Sequence, residues 1–334
     1  TDALGANTTA ADSSAFGFNA LLVGTGANNC AFGARAMDAD TTGNANCAFG
    51  VDALGAVIST NNNAAFGHNA LRLSTGADNC AFGSFALDAA TSGLSINAFG
   101  KDALGANTSA SNNNAFGHNA LSTNTVGSQN CAFGHRALVS NITGGSNCAF
   151  GFEALAQNTA GGNTAFGNNA LQSNTSGTNN CAFGPASLDT NSTGGENCAF
   201  GLSALTGNTT ASDNSAFGVN ALRLNTTGTR NCAFGRNALD ANTTSNFSSA
   251  FGYNAMAVST GAGNCAFGDS ALDTNTTGAN NCAFGVNALT VNVTSTENSA
   301  FGTTALGNST GGSNSAFGFQ AADAVTTGTG NCAF

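Results

Sequence analysis

The chain has 334 residues and a formal net charge of −10, and only 7% of its residues are charged, against roughly 25% in ordinary soluble domains. Its seven basic residues (Arg35, Arg72, Lys101, Arg136, Arg223, Arg230 and Arg236) are scattered. They form no basic stripe, so a nucleic acid is excluded as a partner. The longest apolar runs are a few residues, so no segment is expected to insert into a membrane.

What the composition does hold is a period. Ala-Phe returns every 16 or 17 residues, from Phe16 through Phe150 and Phe234 to Phe334, and Gly follows each Phe up to Phe317. Self-similarity at a fixed short period means one supersecondary unit stacked on copies of itself. The expectation is therefore one continuous repeat array over residues 1–334. The chain opens on Thr1 and has no atypical repeat at either end, which reads as a window of a longer repeat protein or fibre. Twenty coils would span roughly 96 Å.

A coil such as residues 218–234 reads in order Gly-Val-Asn-Ala-Leu-Arg-Leu-Asn-Thr-Thr-Gly-Thr-Arg-Asn-Cys-Ala-Phe. A helical pair needs about 34 residues or more, and no apolar i, i+3, i+4 series survives the Gly and Asn content. Two short strands, Ala-Phe and Ala-Leu, fit the length, giving an all-β, parallel β-solenoid with two principal faces. Alternation puts Phe and the residue two before it on one side and the intervening Ala on the other. With the largest side chains inward, Phe32, Phe150 and Phe234 face Leu54, Leu138 and Leu222 across the core. Ala31, Ala149 and Ala233 then point out, as a face for packing against another copy. The reverse parity, with Ala pressed into a thin interior, is the alternative. Gly after Phe suits positive φ or close backbone approach, and the Asn three before Phe suits an amide ladder.

Coils also group in threes. Cys30, Cys80, Cys131, Cys181, Cys232, Cys282 and Cys332 recur every 50 or 51 residues, and Cys47, Cys148, Cys198 and Cys265 lie one coil from a member of that series. Coils about 4.8 Å apart allow disulfides by Cα separation. The candidates are Cys30–Cys47, Cys131–Cys148, Cys181–Cys198 and Cys265–Cys282, with small free thiols as the alternative. The count of 11 is odd, so at least one thiol is free or pairs between chains.

Catalytic constellations are not legible: no nucleophile, base and orienter assemble, and no cofactor or metal is expected. His118 and His135 should stack one coil apart, which reads as turn chemistry before it reads as a shared metal. Sequons recur in one register at Asn7, Asn107, Asn141, Asn174, Asn191, Asn208, Asn225, Asn242, Asn275 and Asn292, making these candidate glycosylation sites in a eukaryotic secretory pathway. Turn chemistry explains the same residues without glycans. The threonines come mostly in adjacent pairs such as Thr226-Thr227, which alternation would send to opposite sides.

The repeat Asn-x-x-Ala-Phe-Gly-x-x-Ala-Leu resembles the YadA-like head repeats of trimeric autotransporter adhesins and related phage and viral fibre proteins. The resemblance covers the whole chain. It implies a left-handed β-roll, a homotrimer and attachment to matrix or host surfaces, with the binding motif on Asn147–Gly151 and Asn231–Gly235. The function expected first is a non-enzymatic structural repeat protein, extracellular or at the cell surface. Copies of it would build a fibre by stacking or lateral packing. An adhesin head binding host glycans or a matrix surface comes second, and ice binding third.

Overall fold

Glycine sets the coil. In residues 218–234, Gly218 takes φ +142°, and a Cβ there would lie 2.5 Å from the carbonyl oxygen of Gly235 in the next coil. Both the dihedral and the close approach require Gly. Three further residues turn left-handed: Asn220 at 59°, Leu222 at 51° and Arg230 at 58°. For a branched residue such as Leu222 this costs about 1–2 kcal/mol, offset by its complete burial.

In the computed structural model, residues 3–4, 11–56 and 58–334 are described. They hold strands of two or three residues, from Ser14–Phe16 to Cys332–Ala333, and no helix. The chain divides into two units, 1–165 and 166–334, and each is a parallel β-solenoid. In the first, Cys131–Phe133 pairs in parallel with Cys148–Phe150, Phe opposite Phe. In the second, Cys181–Phe183 pairs in the same way with Cys198–Phe200. Bonding between coils continues beyond the strands. Arg136 N–H donates back to His118 C=O at 3.0 Å, and Leu138 N–H donates forward to Ala154 C=O at 3.0 Å. Among the described residues no helix is long and apolar enough to cross a membrane.

The parity expected from side-chain size is reversed. Ala31, Ala149 and Ala233 are fully buried, whereas Phe32 is 37% exposed and Phe150 and Phe234 are half-buried on the outer face. The alanines are therefore core rather than an oligomer face, and the phenylalanines are not core. Leu54, Leu138 and Leu222 are fully buried. The cause is volume. A coil of 16 or 17 residues encloses its Leu, two Ala, a Gly and two Asn side chains, leaving no room for a ring at interior packing density. Uniform Ala before Phe records a tight interior wall.

Asparagine fills the rest of that interior as two ladders. In the first, three before Phe, Asn147 Oδ1 accepts from Asn163 N–H at 2.9 Å, and Asn130 Nδ2 donates to Gly144 C=O at 2.9 Å. In the second, three after Leu, Asn208 Nδ2 donates to Asn191 Oδ1 at 2.8 Å and to Ala211 C=O at 3.0 Å. Where a buried amide is partnered at both ends, as at Asn208, it holds adjacent coils in register, because a slip would leave donors and acceptors unpaired.

Candidate functional site

The strand face that turns outward carries two columns. One is Phe. Rings of neighbouring coils stack 4.4–5.0 Å apart within each unit, as at Phe116–Phe133 and Phe301–Phe317, and only the end pairs Phe16–Phe32 and Phe317–Phe334 are wider. Strand spacing imposes this distance, and near-parallel planes 2–7° apart follow from identical rotamers in register. The other column, two residues before Phe, is Cys, Ser, Thr, Asn or Ala throughout. No charged residue stands in either column.

Beside the ring column, past Gly, the chain presents exposed apolar residues at intervals: Phe18, Val51, Phe152, Leu202, Tyr253 and Val286. Charged residues share that column at Lys101, Arg236 and Asp269, and several charges pair between coils. Arg35 holds Asp52 with two bonds of 2.6 Å, which pulls the Asp52 carboxyl below its usual range. Such solvent-screened pairs contribute little to stability.

The cysteine pairs named from spacing meet in this face. Cys30 stands opposite Cys47, Cys131 opposite Cys148, Cys181 opposite Cys198 and Cys265 opposite Cys282. All eleven cysteines are free thiols. Burial pushes the thiols of Cys181 and Cys265 up to about 11, with the facing thiol adding to the effect.

The glycosylation sites read from the sequons are overturned. Asn107, Asn141, Asn174, Asn191, Asn208, Asn225, Asn242 and Asn275, together with Asn292, are fully buried in the second ladder. Their Nδ2 atoms, which would carry the sugar, point into the core as hydrogen-bond donors. Asn7 lies outside the described residues. Of the segments implied by the adhesin resemblance, Asn147 and Asn231 are core, and the Cys, Phe and Gly of each segment reach the surface.

His118 and His135 lie with centroids 5.3 Å apart and planes tilted by 34°, and His135 stacks on Phe152 at 5.2 Å. Among the described residues no group of three or more His, Cys, Asp or Glu could hold a metal ion. The first Thr of each pair directs its hydroxyl along the axis: Thr226 Oγ1 donates to Thr243 C=O at 3.0 Å and Thr209 Oγ1 to Thr226 C=O at 3.2 Å. Those hydroxyl donors are engaged by the fold itself. Neither a scan of protein-family models nor a search of curated proteins finds a match to this chain.

Proposed function

We propose that this is a structural repeat protein of an extracellular fibre or surface appendage, in which copies pack laterally through the Phe and Cys columns. The observation that carries the reading is, in each unit, a column of stacked, half-exposed rings on strands free of charge. About ten rings, each showing roughly a quarter of ~200 Å², offer ~500 Å². The neighbouring column brings a ten-coil stretch toward the ~800 Å² per partner of a stable interface. A second copy is the occupant that suits this face. Identical columns repeat at the same ~4.8 Å on both partners, and two chains of net charge −10 meet there without opposing charges.

An adhesin head would instead use the varied exposed column after Gly, where His68, Phe152, Pro185 and Tyr253 stand. Sedimentation velocity across the micromolar range separates the two. Wild-type chain associates with rising concentration, and the Phe99→Thr/Phe116→Thr/Phe133→Thr variant stays folded but associates less. Equal association in both, or a wild-type chain that stays monomeric, contradicts lateral packing through the rings.

A further inference from the structure

The four in-register cysteine pairs are isolated doublets. After three of them the same column continues with Ala64, Ser215 or Ser299, so no third thiol adjoins on that side. Facing thiols stand in register at Cys30/Cys47, Cys131/Cys148, Cys181/Cys198 and Cys265/Cys282. Parallel strands in register keep equivalent Cα and Cβ atoms ~4.8 Å apart. An unstrained disulfide needs Cβ atoms ~3.5–4.5 Å apart, so closing one would pinch a ladder that backbone bonds hold open along the entire coil. A linear sulfur–metal–sulfur unit with metal–sulfur bonds of ~2.2–2.4 Å spans ~4.4–4.8 Å. That span is the strand spacing.

We infer that each in-register pair (Cys30/Cys47, Cys131/Cys148, Cys181/Cys198 and Cys265/Cys282) is a two-thiolate site for a soft monovalent cation, Cu(I). Thiolates are the ligands that select this ion. On binding, two S–H bonds break and two Cu–S bonds form; both protons leave to the buffer and the oxidation state is unchanged. The rings of Phe32 and Phe49 flank the first pair on the same strand face. Register alone supports the inference, independently of whether chains associate.

The test is anaerobic titration of the reduced full chain with Cu(I), against bicinchoninate as competing chelator. Four equivalents per chain should be retained, with two sulfur neighbours by X-ray absorption. The Cys47→Ser/Cys148→Ser/Cys198→Ser/Cys282→Ser variant leaves seven of the eleven thiols but no pair, and its uptake should fall toward zero. Serine already occupies this column at Ser215, Ser249 and Ser299, so the variant is expected to keep the fold, checked by circular dichroism. The Cys80→Ser/Cys232→Ser/Cys332→Ser variant keeps eight thiols, all paired, and should still retain four equivalents. Uptake that follows the number of thiols rather than of pairs overturns the inference. So does no uptake by the wild-type chain.

Discussion

Asn208 donates its side-chain amide to Asn191 Oδ1 at 2.8 Å, one coil away, and both residues open Asn-x-Ser/Thr sequons. The atom a glycan would need is thus a strut of the fold. Asn208→Ala leaves Asn191 Oδ1 and Ala211 C=O without that donor, and Asn225 Nδ2 with Gly228 C=O as its remaining acceptor. A loss of about 2–4 kcal/mol is expected, read as a lowered urea midpoint. Folded chain secreted from a eukaryotic host should carry no sugar at Asn191, Asn208 or Asn225 by peptide mass spectrometry.

The reversed parity makes ring removal a mild change for the single chain. Phe234 stacks between Phe217 at 4.5 Å and Phe251 at 4.8 Å on the outer face. Phe234→Ala should cost about 1–2 kcal/mol through two lost stacking contacts. Leu222→Ala opens the interior and should cost about 2–4 kcal/mol. Equilibrium unfolding of the two variants side by side checks the order, and a larger loss at Phe234 would mean that the rings point inward.

Asp40 occupies a position of the second ladder with a carboxylate in place of the amide. It is fully buried; Oδ1 accepts from Gly43 N–H at 2.9 Å, while Oδ2 has no partner. Burial raises its pKa, partly offset by the bonds from Gly43 and Asn46. A carboxyl with a higher pKa folded than unfolded favours the fold below its unfolded value of about 3.9, and that contribution is lost as pH rises through the folded value. Asp40→Asn should therefore stabilise at pH 7, by about 1–3 kcal/mol. The gain should shrink as pH falls toward 3, read as melting temperature against pH.

The thiols work in the same direction at alkaline pH. Those of Cys181 and Cys265 titrate near 11 because burial penalises the thiolate. Their contribution is complete below the unfolded value of about 8.5 and is lost as pH rises through the folded one. The urea midpoint should fall between pH 8.5 and 11, and a Cys181→Ser/Cys265→Ser variant should show a shallower fall.

Much of this architecture is legible in the sequence. Ala-Phe marks the one strand of each coil, whereas the second strand expected at Ala-Leu is a run of turns, because Leu222 and its equivalents take left-handed φ; the Gly after Phe marks a close approach of backbones. Side-chain size misled at Phe32, Phe150 and Phe234, because a coil this short is filled by Ala, Leu and Asn before a ring can enter. The uniformity of Ala before Phe, unlike the drift among Cys, Ser, Thr and Asn one residue earlier, was the available signal. A buried wall tolerates one size, whereas an outer column tolerates several. The sequons misled for a related reason: the Asn-Thr pairing that suits a glycan acceptor also suits a buried amide followed by a turn. In-register thiol pairs followed directly from counting residues, since parallel stacking turns a spacing of 17 residues into contact.

The central claim is that the ring column is the surface through which copies meet. Cryo-electron microscopy of the material as isolated tests it most directly. The account predicts neighbouring chains whose Phe and Cys columns lie against each other, with the charged turns outermost. Chains that touch through other columns, or single chains whose rings face solvent, would contradict it.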